Sequence, residues 1–225
     1  MVRFGHKTIL LSMASLWMFP AWGGVTKWRV DKAHSEVSFS VRHMGLAKVK
    51  GSFSGMTGEM ILDQENVEKS RIEMTIPVAN INTNNPKRDG HLLSPDFFHV
   101  EKYPTITFKS TKVQQLKPGG RELNICGWLM MHGKKNEECF IGRLNGPQQY
   151  PTGKWGMGFE TTKPDFVSRK AYGVGTKFPD AAEKSFSDKM LSFATKKAAS
   201  LIGDQVNFEI NVELIRQEDS VKKNK

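Results

Sequence analysis

A short polar cluster stands between two runs of alternating residues and offers the groups that catalysis or ligand binding would need. Arg88, Asp89 and His91 lie within four residues of one another. An imidazole beside a carboxylate could transfer a proton, and the guanidinium could hold an anion. Apolar side chains follow at once, among them Phe97 and Phe98. These residues could form a reaction centre, a metal site or a hydrogen-bonded bracket beside an apolar cavity, and the bracket is the interpretation that the rest of the sequence favours.

Other patterns of catalytic and metal-binding residues are missing from the sequence. It contains no HxH or HExxH spacing for zinc, no GxSxG nucleophile, no P-loop and no dinucleotide fingerprint. His34 and Ser35 are adjacent, but neighbours on a strand point to opposite faces and cannot form a dyad. We therefore predict no catalytic residue, no metal site and no cofactor.

The elements that must position the polar cluster are β-strands. Residues 205–216 read QVNFEINVELIR, in which apolar and polar residues alternate strictly. This period is typical of a strand with one buried face. It recurs over 36–42, 71–78, 105–110 and 155–161, and Asn-, Pro- and Gly-rich turns separate the strands. Eight to ten such strands predict a closed antiparallel β-barrel or a two-sheet sandwich.

Two segments depart from the strand period. His91–Val100 has helical spacing, which predicts a short helix after Arg88. Asp180 and Glu183 form a capping-box pattern before a single apolar stripe, which predicts an amphipathic helix near 180–202. This second helix either packs on the barrel or lies at a membrane surface.

The N-terminus has the features of a secretion signal. Arg3 and Lys7 precede an apolar run far shorter than the roughly 20 residues that span a bilayer, and small residues lie near Gly23. We expect cleavage near Gly23 and a periplasmic or secreted protein. The chain is thus predicted to comprise a signal peptide over 1–23, a barrel domain over 24–216 and a charged, disordered tail over 217–225.

Export bears on the two cysteines, because an oxidising compartment lets thiols pair. Cys126 and Cys139 flank a predicted hairpin that turns near His132 and Gly133, and the alternation sends both sulfurs to the outward face. An antiparallel register that pairs these positions directly would allow a cross-strand disulfide. Two unpaired thiols fit the sequence about as well, whereas a redox-active pair does not, because the CxxC spacing is missing.

The chain is basic, with a formal net charge of +10. The lysines and arginines are scattered and do not interleave with aromatic residues, which argues against a nucleic-acid partner. An ordinary solvated surface explains the charge, and attraction to anionic lipid head groups is the alternative. A transient contact with a membrane surface and a homodimer both stay open.

The chain resembles the YceI-like family of secreted polyisoprenoid-binding proteins from Trp28 to about Leu214. The resemblance rests on four motifs, which are D-x-x-H-S from Asp31, R-D-x-H-L from Arg88, Y-P-x-I-x-F from Tyr103 and G-x-L-x-x-x-G from Gly127. It implies a lipocalin-like, extended eight-stranded antiparallel β-barrel. The apolar tunnel of such a barrel holds an isoprenoid chain, such as a quinone tail or a polyprenyl phosphate.

The resemblance also implies which residues meet the ligand. His34, Arg88, Asp89 and His91 would lie at the polar end of the tunnel or brace the loop there. The segment between Gly175 and Asp204 is longer than in many relatives and would act as a lid, a dimer contact or a membrane-docking face. The inward apolar positions of the strands would line the tunnel, namely Val37, Phe39, Val41, Phe53, Ile72, Met74, Ile76, Ile106, Phe108, Leu129, Met131, Phe140, Trp155, Met157, Phe159, Val206, Phe208, Ile210 and Val212.

The function expected from the resemblance is non-enzymatic binding of a polyisoprenoid lipid, with transport or storage of that lipid in the cell envelope. Two other functions stay open. The first is a lipid- or quinone-modifying enzyme that uses Arg88, Asp89 and His91 as anion clamp, base and acid. The second is an envelope stress protein whose barrel is filled by its own side chains.

Overall fold

The computed structural model describes residues 24–163, 165–177 and 202–217. The predicted signal peptide, the predicted amphipathic helix up to residue 201 and the tail from residue 218 lie outside these residues. Ile202, the last residue of that predicted helix, belongs to a strand instead. None of the helices in the described part of the chain is long and apolar enough to cross a bilayer.

The described residues form an all-β fold with one α-helix, α1 (Pro86–Leu93), and two single-turn 3₁₀ helices at Val67–Lys69 and Val78–Asn80. The strands are β1 (Val25–Val30), β2 (Glu36–His43), β3 (Ala47–Ser54), β4 (Thr57–Asp63), β5 (Arg71–Pro77), β6 (Ile81–Asn82), β7 (Thr105–Gln115), β8 (Glu122–Met131), β9 (Lys134–Gln149), β10 (Trp155–Thr161), β11 (Asp165–Ser168) and β12 (Ile202–Arg216).

Eight of the described strands close into a ring in the order β1, β4, β5, β7, β8, β9, β10 and β12, because β12 also pairs with β1. Every pairing is antiparallel, which confirms the predicted eight-stranded barrel. The shorter strands lengthen this ring along its axis. β2 follows β1 along one edge of β12, and β11 follows β10 along the other edge.

The alternation of β12 separates the inside of the barrel from its surface. Phe208, Val212 and Leu214 are buried, whereas Glu209 and Asn211 are exposed. Because successive side chains of a strand point to opposite faces, one strand supplies both the apolar wall and the wet surface. The same division holds around the ring, so the interior of the barrel is apolar.

The hairpin of β8 and β9 turns at His132 and Gly133, as the sequence predicts. Both residues have positive φ, 53° and 75°, which suits a two-residue turn between twisted strands. A Cβ atom on Gly133 would lie 2.6 Å from the ring of Tyr103, so glycine is required there for space as well. This turn fixes the register, in which Cys126 pairs directly with Cys139.

The predicted short helix is confirmed, although its position differs from the prediction. It begins at Pro86, before Arg88, because the Asn85 side chain accepts the Arg88 N–H and proline suits the first helical turn. It ends at Leu93, and the residues up to 102 form turns instead of further helix. The polar cluster therefore lies within the helix.

Candidate functional site

An apolar cavity of about 610 Å³ occupies the barrel interior. This volume lies within the roughly 300–1,000 Å³ of small-molecule sites. Phenylalanine and methionine side chains supply much of the wall, together with aliphatic residues from most strands of the ring. Such a wall binds hydrocarbon through burial and dispersion, and not through directed polar contacts.

The cavity is closed at one end and polar at the other. Its closed end is formed by fully buried side chains that include Met56, Met60 and Leu214, which belong to the same apolar cluster as Trp28. The polar residues of the lining are His43, Asn85, Lys87, Arg88, His91 and Arg169. A ligand that enters this cavity would therefore place an apolar end deep inside and keep a polar end among these residues.

The polar residues come together through a chain of direct contacts. His43 pairs across the sheet with Ile202, and the carbonyl of Ile202 accepts a hydrogen bond from Arg169. Gly175 lies against both Arg169 and the ring of Phe97, since a Cβ atom placed on this glycine would be 3.4 Å from Arg169 Nη1 and 2.6 Å from the Phe97 ring. The His91 ring in turn packs edge-on against the Phe97 ring, with 5.0 Å between the ring centroids. β2, α1 and the segment after β11 thus surround one opening, which we call the mouth.

All the predicted tunnel residues except Trp155 and Met157 line this cavity. Those two point into the barrel as predicted, but they pack in the solid core beyond the closed end, where Met157 is 3% exposed. The alternation along β10 predicts which side chains face the inside of the barrel, but it does not predict how far along the barrel axis the cavity extends. Phe159, two residues further along the strand, does reach the cavity.

Arg88 and Asp89 both hold the turn that precedes α1. The Arg88 Nε donates to the Thr83 hydroxyl over 2.7 Å, and its Nη2 donates to the Thr83 carbonyl over 2.6 Å. The Asp89 carboxylate accepts hydrogen bonds from the Thr83 N–H and from its hydroxyl. Arg88 also lines the cavity, whereas Asp89 does not, so the cluster predicted from the sequence is divided between two roles.

His91 lies at the mouth beside a carboxylate. Its Nε2 is 3.6 Å from Asp96 Oδ2, and the other oxygen of Asp96 accepts a hydrogen bond from Lys177 over 2.7 Å. The pKa of Asp96 is lowered mainly by the hydrogen bond that Lys177 donates to it. The positive charge of Lys177 and the contact with His91 lower this pKa further. Because Asp89 is turned to Thr83, the three cluster residues do not surround one point in the cavity.

His34 lies elsewhere, which corrects the prediction that it joins the polar end. It follows β1 at the opposite end of β2 from His43, and it does not line the cavity. Its Nδ1 is 3.0 Å from Asp31 Oδ2 and 4.0 Å from Glu213 Oε2. The D-x-x-H-S motif therefore ties the turn after β1 to β12, since Ser35 also exchanges hydrogen bonds with the Glu213 backbone.

The contacts of His34 shift the titration of this group. The hydrogen bond from His34 is the main cause that lowers the pKa of Asp31, and the same bond, followed by the charge of Glu213, raises the pKa of His34. The donor atoms of Asp31, His34 and Glu213 lie within 4.8 Å of one another, so these are the described residues that could hold a divalent cation. The hydrogen bond between His34 and Asp31 already occupies two of these atoms.

Arg169 is a cavity residue that the sequence analysis missed. It is 4% exposed, and its guanidinium donates to the carbonyls of Gly203, Ile202, Val174 and Gly175. The sequence does contain a signal for it. Val167 points inward, so the alternation places Arg169 on the same inward face.

A closed antiparallel barrel around an apolar cavity with one polar mouth defines a lipocalin-like β-barrel. The family model described as YceI-like domain matches residues 28–214. Protein YceI of Escherichia coli O157:H7 is 35% identical over 177 residues, which cover 77% of this chain and 90% of that protein. The chain therefore belongs to the YceI-like family, as the sequence motifs predict.

Solved structures share the fold at lower identity. A Campylobacter jejuni YceI protein has a TM-score of 0.59 and 24% identity, and the match covers 77% of this chain and 88% of that one. A polyisoprenoid binding domain from Saccharophagus degradans, implicated in plant cell wall breakdown, has a TM-score of 0.57 and 12% identity. That match covers 86% of this chain and 99% of that domain.

Proposed function

We propose that this protein binds a polyisoprenoid lipid, without altering it chemically, and carries or stores it outside the cytoplasm. The observation that carries the proposal is the apolar cavity, which is closed at one end and opens at a polar mouth. Membership of the YceI-like family supports the proposal, and so does the fold shared with a domain described as polyisoprenoid-binding.

The size of the hydrophobic effect suits a slender hydrocarbon. Burying one CH₂ group contributes about 0.8 kcal/mol, so a five-carbon isoprene unit contributes about 3–4 kcal/mol before ordering costs. A few units would bring the affinity near the practical ceiling of roughly 18–21 kcal/mol. Binding is thus easily obtained, and a carrier needs a route by which the lipid leaves.

A membrane is the natural acceptor for such a lipid, and the hairpin of β2 and β3 offers a contact with it. Leu46, in the turn of this hairpin, is 81% exposed, and it lies three residues from His43 at the mouth. Arg42 and Lys48 are exposed and directly paired at the base of the turn. An apolar tip between cations favours the surface of a bilayer that contains anionic lipids.

Extraction of the protein purified from its native compartment tests the proposal. Organic extraction followed by mass spectrometry should yield an isoprenoid lipid in near-stoichiometric amount. The same lipid, added back to delipidated protein, should be recovered with its mass unchanged. An extract without lipid, together with failure of delipidated protein to bind any isoprenoid, would contradict binding, and a changed mass would favour an enzyme.

A further inference from the structure

A stretch of the barrel wall is not joined by strand pairing. β9 pairs with β8 from Lys134 to Arg143, whereas the pairing of its other edge with β10 begins only at Gly142. The next strand on that side, β11, pairs with β12 and, within the described residues, not with β9. A gap between β9 and β11, which we call the seam, therefore runs from Ile141 towards the mouth.

The edge of β9 that faces the seam has unpaired backbone groups. The Ile141 N–H points to this side, because it donates to the Asp165 carboxylate over 3.4 Å. Backbone groups of residues two apart on a strand point the same way, so those of Cys139, Glu137 and Lys135 also face the seam. In the part of the chain that the structure describes, these three residues have no backbone partner across the seam. The seam therefore lacks the hydrogen bonds that hold neighbouring strands together.

The Tyr172 side chain closes the seam. Tyr172 lies in the turn after β11 and is fully buried. Its carbonyl is 3.1 Å from His132 Nδ1 at the turn between β8 and β9, and its hydroxyl donates to Glu138 Oε1 over 2.8 Å. Because Glu138 lies further along β9, towards the closed end, Tyr172 extends along the seam. The contacts of this one residue thus take the place of a strand pairing.

Residues 169–175, which we call the plug, are anchored on the other side of the seam by Arg169. Its guanidinium donates to the carbonyls of Ile202 and Gly203 in β12, and also to carbonyls within the plug. These bonds join the plug to β12, whereas Tyr172 joins it to β9 and to the turn between β8 and β9. Loss of the Tyr172 contacts would therefore separate the plug from β9 and leave it attached to β12.

The seam borders the cavity. Phe140 of β9 lines the cavity on one side of the seam, and Val167 of β11 and Val174 of the plug line it on the other. Tyr172 packs with these three residues in one apolar cluster. Movement of the plug away from β9 would therefore open the cavity along its side, where the wall is apolar, and not through the polar mouth.

Two inward positions of β9 beside the plug are polar. Asn136 and Glu138 share the inward face with Phe140, because side chains two apart on a strand point the same way. Glu138 has the Tyr172 hydroxyl as its donor, but the buried Nδ2 of Asn136 has no hydrogen-bond partner among the described residues. A buried donor without a partner costs free energy that contact with water would recover. This cost lowers the stability of the closed seam relative to an open one.

We infer that the seam is a side gate of the cavity. The plug moves away from β9, and the isoprenoid tail enters and leaves between β9 and β11. The hydrogen bond between Tyr172 and Glu138 is the latch that keeps the gate closed. The inference rests on the proposed function, since the gate needs a lipid to pass, and it supplies the route of release that a tightly bound lipid requires.

A latch has a kinetic signature that a wall contact does not have. The bond between Tyr172 and Glu138 forms within the protein, so it holds the gate closed with and without lipid. Weakening it raises the open population equally in both states, which accelerates entry and exit by the same factor and leaves the affinity unchanged. Loss of a contact with the lipid itself would accelerate exit alone and weaken the affinity.

Exchange of tritium-labelled farnesol between the intact chain and phosphatidylcholine vesicles measures both rates. Transfer from loaded protein to excess vesicles gives the exit rate, and transfer from loaded vesicles to delipidated protein gives the entry rate. Tyr172→Phe keeps the ring and removes the hydroxyl. We expect both rates to rise about five- to tenfold, in line with the loss of one charge-assisted hydrogen bond, and their ratio to change less than about twofold.

The matched control is Tyr150→Phe. Its hydroxyl also donates to a carboxylate, that of Glu213, but Tyr150 follows the far end of β9 and does not line the cavity. This variant should leave both rates unchanged. If Tyr172→Phe does not fold, Glu138→Gln tests the same latch, because a neutral acceptor forms a weaker hydrogen bond, and it should raise both rates by a smaller factor.

The other outcomes are distinct. Unchanged rates in a folded latch variant, or an equal rise in Tyr150→Phe, would overturn the side gate and leave the proposed lipid binding intact. Faster exit with unchanged entry would show that Tyr172 only holds the tail, which also overturns the gate. Failure of the natural protein to take up farnesol or any longer isoprenoid from vesicles would contradict the proposed function, and the inference with it.

Discussion

Cys126 on β8 and Cys139 on β9 occupy directly paired positions of one hairpin, and their sulfur atoms are joined in a disulfide. Neither cysteine lines the cavity. The next pair along the hairpin, Ile125 and Phe140, does line it. The disulfide therefore links β8 and β9 on their outer face, while the inner face of the same two strands forms part of the cavity wall.

Removal of this disulfide should lower stability without changing ligand binding. A bridge that closes a loop of 13 residues contributes about 2–3 kcal/mol by restricting the unfolded chain. We expect the double variant Cys126→Ser, Cys139→Ser to lose about that amount of unfolding free energy in urea, with unchanged farnesol affinity. Reductant should destabilise the natural protein and not the variant. Equal sensitivity of both would contradict this account.

An added indole inside the cavity should block the tail. Ile210 lines the cavity and packs against both apolar clusters of the barrel, so a larger side chain there would divide the space. We expect Ile210→Trp to weaken farnesol binding about tenfold or more, because the indole would occupy cavity volume that the tail needs and the tail would lose buried apolar contact there. Isothermal titration measures the change, and the melting temperature shows whether the barrel is folded.

The control for this variant is Glu209→Trp, which adds the same indole to the exposed face of β12. It should leave farnesol affinity unchanged. If Ile210→Trp does not fold, the smaller change Ile210→Phe tests the same point. Equal affinities of the natural protein and a folded Ile210 variant would show that the tail does not occupy this cavity.

The strand pattern and the hairpin of β8 and β9 could be predicted because both depend on local information. The period of two in β12 follows from the geometry of a strand, and it correctly separates Phe208 from Glu209. The turn at His132 and Gly133 fixes the register of β8 and β9, which is why the opposition of the two cysteines could be anticipated.

Depth along the barrel and contacts between distant segments could not be predicted in the same way. Alternation places Trp155 on the correct face, but only the closed structure shows that the cavity ends before it. Arg169 acquires its role from carbonyls of β12, which are 33 and 34 residues away in sequence. The family motifs group His34 with His91, although β2 separates the turn of His34 from the mouth.

Replacement of Arg169 should destabilise the barrel strongly. Arg169→Met keeps most of the side-chain volume but removes the guanidinium that donates to the carbonyls of Gly203, Ile202 and Gly175. Since an unsatisfied buried polar group costs about 1–3 kcal/mol, we expect a loss of at least about 3 kcal/mol in urea denaturation. Arg71→Met, at an exposed position of β5, is the matched control. Equal effects of the two changes would contradict the structural role of Arg169.

The His34 contact should depend on pH in a defined direction. Because the folded state raises the pKa of His34, its stabilising contribution is complete below the ordinary value of 6.5 and is lost as pH rises through the folded pKa. The lowered pKa of Asp31 acts in the opposite sense, so its contribution is complete above the ordinary value of 3.8 and is lost as pH falls through the folded pKa. The contact between His34 and Asp31 therefore stabilises the fold most between about pH 3.8 and pH 6.5, the ordinary pKa values of the two groups.

Titration of the His34 imidazole by NMR, with the signal assigned by His34→Gln, measures this effect directly. Asp31→Asn should lower the His34 pKa more than Glu213→Gln does, because the hydrogen bond that His34 donates to Asp31 is the larger cause and the charge of Glu213 is the smaller. The unfolding free energy that His34→Gln removes should be greater at about pH 5.5 than at about pH 8.5. A His34 pKa that stays the same in Asp31→Asn would show that the turn after β1 is not held by this pair.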